Sequence, residues 1–141
     1  MRTVFLAVAM SVIATAVGCG APVGQPTGKV TFKGTPVAEA EIKFVSLENP
    51  DHEFFGTSQD DGTYTVSYRE MKGLPTGKYT VTIVRTTLRN NKPIPAGEEG
   101  QAARDSDRAV KKAYQFEKDI VEGSSAIDFE LSQGTEVQIE D

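Results

Sequence analysis

The feature of the sequence that most restricts its fold is a repeated alternation of apolar and polar residues with a period of two. In residues 28–34, Val30 and Phe32 alternate with lysines and a threonine. Successive side chains of a β-strand point to opposite faces, so this pattern predicts strands with one buried face. The same alternation places further residues on the inner face of their strands: Ala38, Ala40, Ile42 and Phe44; Tyr64, Val66 and Tyr68; Tyr79, Val81 and Ile83; Ile127, Phe129 and Leu131.

Turn residues separate these alternating segments at short and regular intervals. Asp60, Asp61 and Gly62 stand between two segments, and a Gly-Thr-Pro sequence occupies 34–36. Asp and Gly tolerate the positive φ angles that tight turns require. We therefore expect an all-β domain, a β-sandwich of about seven short strands. The segments are 28–34, 37–47, 53–59, 63–68, 73–84, 119–123 and 124–131.

Residues 85–118 interrupt this pattern. The segment begins with prolines and glycines at 93–100, which indicates an irregular loop, and residues 101–116 have helical potential. Ser106 or Asp105 could cap such a helix, and Asp107 with Lys111 forms an i,i+4 pair. The segment has 8 Lys and Arg against 5 Asp and Glu. It is interpreted either as a solvated loop beside an acidic domain or as a docking surface for an anionic glycan or lipid headgroup.

The N-terminus has the pattern of a targeting segment. Arg2 is followed by an apolar run at 4–17, which is shorter than the roughly 20 residues of a membrane-spanning helix. A positive start, a short apolar run and small residues after it are typical of a signal peptide. Ala14-Thr15-Ala16 fits ordinary signal peptidase, which would give a soluble secreted protein. Ala16-Val17-Gly18-Cys19 resembles a bacterial lipobox, with Ala16 where Leu is usual.

The position of the only Cys favours the lipoprotein interpretation. Cleavage after Gly18 would remove residues 1–18 and leave Cys19 to carry a diacylglycerol and an N-acyl chain such as palmitate. Several acyl chains make a stable anchor where one would be marginal. Residues 19–26, rich in Gly and Pro, would form a flexible tether. Gly20 is not the Asp that retains some lipoproteins in the inner membrane, so the outer membrane of the cell envelope is favoured.

Composition excludes several function classes. One Cys cannot form an intramolecular disulfide or a multi-Cys zinc site, and one His excludes His-rich metal centres. The net charge of −5 argues against nucleic-acid binding, which needs a surplus of Lys and Arg. No phosphate-binding glycine loop and no nucleophile-elbow motif is present in the sequence. We expect no cofactor, no metal and no catalytic activity.

Four segments of the chain together resemble a known domain family. They are TGKVTFKGTPVAEAEIKFV, DDGTYTV, LPTGKYTVTIV and IVEGSSAIDFEL. These segments are similar to the carboxypeptidase regulatory-like, or transthyretin-like, domain of small bacterial lipoproteins. The resemblance covers about 28–84 and 112–132. It implies a seven-stranded Greek-key sandwich of the prealbumin type over 27–135, with a partly helical or irregular insertion at about 86–116 and a C-terminal tail at 136–141.

Turn and core roles are expected for a set of residues within the resembling segments. Glycines at strand ends favour bends or positive φ, and Tyr79 is a candidate tyrosine-corner residue, with its ring in the core and its hydroxyl bonded to backbone. The residues are Gly28, Gly34, Asp61, Gly62, Pro75, Gly77 and Tyr79.

Proteins of this architecture carry three chemistries, and each has a simpler interpretation here. The transthyretin-related hydrolase needs several His, whereas His52 stands alone. An internal isopeptide bond would need a buried Lys and two partners, but alternation places the candidates on outward faces. Calcium binding would use turn aspartates that lack the usual spacing. The isopeptide candidates are Lys29 or Lys33, Glu41 and Asp128, and the calcium candidates are Asp51, Asp60 and Asp61.

The sequence therefore predicts a lipid-anchored envelope protein that acts as a non-catalytic binding, adhesion or scaffold module with an unknown protein or glycan partner. The alternative is an accessory subunit of a larger enzyme or transport complex, docked through 85–118. A stand-alone module should have a concave patch with exposed aromatic side chains. A docking subunit should have an ordered 85–118 segment with an apolar face.

Overall fold

The strands of the computed structural model follow most of the alternating segments. The structure describes residues 23–24, 27–68, 71–72, 74–89, 94, 109–123 and 126–139. In chain order the elements are β1 (Val23–Gly24), β2 (Thr27–Phe32), β3 (Thr35–Pro36), β4 (Glu41–Ser46), β5 (Glu53–Ser58), β6 (Thr63–Tyr68), β7 (Met71–Lys72), β8 (Leu74–Pro75), β9 (Gly77–Leu88), β10 (Ala109–Ile120), β11 (Phe129–Glu130), a 3-10 turn at Leu131–Gln133, and β12 (Thr135–Val137).

The main sheet is antiparallel apart from one short parallel pair. Its strand order is β11-β2-β6-β5-β4-β9-β10-β12, with β3 beside β2 and β7 beside β6. The parallel pair joins β11 to β2. A separate ladder pairs β1 with β8. The described residues are thus all-β, as expected.

The sheet curls so that its two ends face each other. Phe129 of β11 and Phe116 of β10 lie near opposite ends of the strand order, yet their ring centroids are 5.0 Å apart. Phe32 of β2 and Tyr114 of β10 make a second contact of this kind, at 6.2 Å. A flat sheet could not bring these rings together, so curling closes the sheet around one core.

The core consists of the inward side chains that alternation selects. Phe44, Tyr79 and Phe129 are 0–2% exposed and meet edge to face, which is a preferred arrangement of aromatic rings. Val30, Ile42 and Leu131 are also buried. The buried core residues are Val30, Ala40, Ile42, Phe44, Phe54, Tyr64, Val66, Leu74, Tyr79, Val81, Ile83, Tyr114, Ile120, Phe129 and Leu131.

The helix expected within 101–116 is wrong where the structure describes that segment. Residues 109–120 form β10, which pairs with β9 from Ala109↔Leu88 to Ile120↔Gly77. Asp107 and residues 101–106 lie outside the described residues. No α-helix occurs in the part of the chain that is described. A twelve-residue ladder with β9 outweighs the local helical preference of Ala and Lys, because strand pairing depends on neighbours more than on propensity.

Several boundaries also differ from those expected. The ends of the expected insertion at 86–116 belong to the two longest strands, β9 and β10. Glu136 and Val137, expected in a C-terminal tail, belong to β12 and pair with β10. Within the expected tether, Val23–Gly24 pairs with β8. Ala38 is exposed, because β4 begins only at Glu41.

Candidate functional site

The predicted turn glycines lie at tight bends and close approaches. A Cβ atom on Gly28 would collide with the carbonyl of Ile127, so only glycine lets these two segments meet. Gly62 has a φ of +81°, and a Cβ there would lie 2.6 Å from the carbonyl oxygen of Val30. Gly34 and Gly77 have φ angles of +76° and +146°. These residues shape the strand connections.

Asp61 organises the turn before β6. Its Oδ1 accepts the hydroxyl of Thr63 at 2.6 Å and the backbone N–H of Thr63 at 2.9 Å. The side-chain and backbone hydrogen bonds from Thr63 lower the pKa of Asp61 below its usual range. The carboxylate is therefore engaged within its own turn.

Two buried tyrosines tie their strands to neighbouring backbone. The hydroxyl of Tyr79 donates to the carbonyl oxygen of Pro75 at 2.9 Å, and the residue is 2% exposed. Burial, assisted by the nearby charge of Glu48, raises the pKa of Tyr79. Tyr64, which sequence analysis assigned only to the core, donates to the carbonyl oxygen of Ile127 at 2.6 Å. Burial strongly raises the pKa of Tyr64.

Glu130 is a structural clamp that the sequence did not indicate. Its carboxylate accepts the backbone N–H of Lys33 at 2.7 Å and of Gly34 at 3.0 Å, and the hydroxyls of Ser132 at 2.7 Å and Thr31 at 3.1 Å. Partial desolvation works to raise the pKa of Glu130, but these hydrogen bonds outweigh it and lower the pKa to about 2.

The residues weighed for isopeptide chemistry do not form a buried group. Glu41 pairs with Lys111 at 3.4 Å, and both side chains are more than half exposed. Asp128 accepts the backbone N–H of Lys29 at 2.8 Å and is also exposed. Lys29 and Lys33 are exposed, whereas this chemistry needs a buried Lys. The arrangement offers no activated lysine at these positions.

The other weighed residues lie in surface turns. The side-chain amide of Asn49 approaches Nε2 of His52 at 3.2 Å. Asp51, Asp60 and Asp61 are exposed. Among the residues that the structure describes, no group of three or more His, Cys, Asp or Glu could hold a metal ion.

The predicted cleavage and lipidation residues, Gly18 and Cys19, lie outside the described residues. Within the described ranges, no helix has the length and apolar character needed to cross a membrane.

Arg85 is a candidate functional residue that sequence analysis missed. It lies on the core-facing side of β9, two residues beyond Ile83, and is 5% exposed. In the described part of the chain, the buried side-chain atoms without a hydrogen-bond partner are its Nε and Nη2. Its Cζ lies 3.5 Å from the ring centroid of Phe32 and 5.8 Å from that of Tyr114. A buried guanidinium normally has an anionic partner.

A signal for Arg85 exists in the sequence. The alternation of Tyr79, Val81 and Ile83 continues to Arg85 and Thr87, and both are buried. Arg85 is the first residue of the segment 85–118 that interrupts the expected strand pattern. Extending the period by two residues would have put a charged residue at a core position, which is a recognised sign of function.

A shallow depression lies on the outer face of the sheet, over β5, β4 and β9. Its volume is ≈ 260 Å³. Phe55 at its edge is 51% exposed, and Nζ of Lys43 lies 5.8 Å from the centroid of that ring. Lys43 also pairs with Glu53 at 2.6 Å. The lining residues are Glu41, Ile42, Lys43, Phe55, Gly56, Thr57, Thr82 and Val84.

Comparison of the chain with protein-family models, curated proteins and solved structures finds no match.

Proposed function

We propose that this chain is a lipid-anchored envelope protein whose β-domain acts as a non-catalytic binding module. The observation that carries the proposal is the concave patch on the outer face of β5, β4 and β9, with the exposed ring of Phe55 at its edge. An exposed aromatic side chain beside a depression is typical of a ligand-contact surface. This is the feature expected of a stand-alone module.

The strand order supports a prealbumin-type sandwich as the fold of this module. Strands β4, β5 and β6 pair consecutively, and β9 returns to lie beside β4. The resulting order β9-β4-β5-β6 is that of a Greek key, in which the fourth strand lies beside the first. The proposal of the prealbumin type rests on this order together with the sequence resemblance.

The anchor proposal gains a geometric consequence from β1. Because Val23–Gly24 pairs with β8, only three residues separate Cys19 from the first described strand. The four residue steps from Cys19 to Val23 span at most about 14 Å. A lipid on Cys19 would therefore hold the β8 end of the domain close to the bilayer.

Exposed apolar side chains at the same end support this orientation. Leu47 is 52% exposed and its N–H donates to Lys78 at the start of β9. Val121 is 58% exposed and follows Ile120, which pairs with Gly77. Apolar side chains near a bilayer can enter its interfacial region.

The anchor is tested by Cys19→Ala, with Gln25→Ala as the control in the same segment. We expect the control to take up labelled palmitate and to sediment with membranes, and Cys19→Ala to lose both properties. A Cys19→Ala protein that stays in the membrane fraction would show that the anchor is not the lipid.

The binding surface is tested by Phe55→Ser, with Ile139→Ser as a control at another exposed apolar residue. Crosslinking in intact cells followed by mass spectrometry should show partners that Phe55→Ser loses and Ile139→Ser retains. Identical partner sets for the wild type and Phe55→Ser would refute the role of this patch.

The positive charge of 85–118 favours the alternative of an accessory subunit docked to an anionic partner. Leu88 and Ala109 are paired, so Asn-Gly in place of 89–108 would close β9 and β10 as a two-residue hairpin. This variant removes the connection without cutting the sheet. If this variant loses the crosslinked partners and Phe55→Ser keeps them, the result would favour the accessory-subunit alternative over the binding module.

A further inference from the structure

The end of the core beside Leu88 contains a guanidinium whose hydrogen-bonding edge is empty. Arg85 is 5% exposed, and its Nε and Nη2 are buried without partners. These two nitrogens lie along one edge of the planar group, with N–H bonds that point the same way. That edge matches the two oxygens of a carboxylate in a bidentate pair.

The neighbouring rings hold the guanidinium but do not satisfy it. Phe32 lies against the face of the group, with its centroid 3.5 Å from Cζ, and Tyr114 is 5.8 Å away. A cation–π contact acts on the face of the guanidinium, whereas the N–H donors point outward in its plane. The rings therefore fix the orientation of Arg85 and leave its donors available.

Other cations surround the same end of the core. Lys112 is the cross-strand neighbour of Arg85 in the β9–β10 ladder. Nζ of Lys33 lies 5.6 Å from the centroid of the Phe32 ring. Two carboxylates beside these cations are already engaged, because Glu136 pairs with Lys112 and Glu130 accepts the N–H groups of the β2–β3 turn. The excess of positive charge favours an incoming anion.

Two of the side chains beside Arg85 are partly open to solvent. The side chain of Lys112 is 28% exposed, and Phe32 is only partly buried against the core. A planar anion would continue the plane of the guanidinium beside the two rings, whereas a tetrahedral phosphate would not. We propose that Arg85, with Phe32, Tyr114 and Lys112 around it, binds a carboxylate ligand from solution.

The proposal is tested by titrating the ¹⁵N-labelled full chain with succinate at constant ionic strength. We expect a saturable shift of the Arg85 Nε–Hε signal and a rise in Tm. Arg85→Lys keeps the charge but has no bidentate edge, so it should bind succinate at least tenfold more weakly. Arg85→Met should lose the rise in Tm. Arg89→Met, which removes a nearby exposed arginine, should behave as the wild type.

Three results would overturn the proposal. The first is the absence of a saturable Arg85 signal shift in the wild type, a measurement that requires no variant to fold. The second is an equal or larger response to inorganic phosphate. The third is slow exchange of the Arg85 Nε–H with solvent hydrogen in the absence of ligand, together with faster exchange in a variant that replaces Glu98 and Glu99 by Gln and Asp105 and Asp107 by Asn. That result would show that the chain supplies its own carboxylate.

Discussion

Replacement of Glu130 by Gln removes the charge that joins β11 to the β2–β3 turn. The carboxylate accepts N–H groups from Lys33 and Gly34, which are 96 and more residues away in sequence. Gln presents one oxygen and one NH₂ group, so at least one of these donors loses its acceptor. A hydrogen bond to a charged group contributes about 1.5–3 kcal/mol, and we expect Glu130→Gln to cost about 2 kcal/mol at pH 7.

The pKa of Glu130 gives a second route to this magnitude. A fall of this pKa from its ordinary value of 4.5 to about 2 on folding corresponds to a stabilisation of the folded protein by at most about 3.4 kcal/mol. The carboxylate lies near solvent, and screening reduces this to about 1–2 kcal/mol. Because the folded pKa is below the unfolded one, the contribution is complete above pH 4.5 and is lost as the pH falls towards 2.

Urea unfolding followed by circular dichroism at pH 7, 4.5 and 2.5 measures both effects. The wild type should lose more stability than Glu130→Gln between pH 7 and 2.5. Glu136→Gln is the control, because the carboxylate of Glu136 makes only a partly exposed pair with Lys112 at 3.4 Å. This substitution should lower the free energy of unfolding by less than about 0.5 kcal/mol. Equal stability loss in wild type and Glu130→Gln over this pH range would refute the clamp.

Urea unfolding of further single substitutions tests three separate contacts. Tyr64→Phe removes the 2.6 Å hydrogen bond to the partly buried carbonyl of Ile127 and should lower the free energy of unfolding by about 1–2 kcal/mol; an unchanged midpoint would contradict that bond. Gly28→Ala should lower the free energy of unfolding by about 2–3 kcal/mol, because the added Cβ collides with the carbonyl of Ile127. Gly34→Ala should lower it less, because a Cβ there meets no atom within 4 Å. A larger loss for Gly34→Ala than for Gly28→Ala would contradict the close approach at Gly28. Lys111→Ala should change stability by less than about 0.5 kcal/mol, because its pair with an exposed carboxylate is weak.

The alternation of apolar and polar residues predicted the strands well where one face is buried and the other is exposed to solvent. Val81 and Ile83 in β9 and Phe129 in β11 occupy core positions as expected. The pattern failed in β10, because Ala109, Lys112 and Ala113 carry little hydrophobic contrast and favour a helix locally. This segment is a strand because it pairs with β9 and β12. The pairing partners lie far away in sequence, so the residues of the segment alone do not predict them.

Side-chain contacts across long sequence separations were equally hidden. Glu130 alternates outward, as expected, yet its role depends on a turn formed by residues 33 and 34. The burial of Arg85 depends on Phe32 and Tyr114, which meet only when the sheet curls. The position of Arg85 in the core could thus be predicted by continuing the alternation of β9. That its Nε and Nη2 have no hydrogen-bond partner could be seen only in the three-dimensional structure.

In the proposed lipid-anchored form, the β1–β8 ladder would set the height of the domain above the membrane. Gly77, next to β8, and Arg85 are eight residues apart on one strand, which corresponds to about 26 Å. An acylated Cys19 would hold the Gly77 end at the bilayer, and the Arg85 end would stand beyond the headgroup layer. A carboxylate bound there would come from the aqueous compartment and not from the supporting membrane. Lengthening the chain between Cys19 and Val23 would remove this fixed height without altering the site.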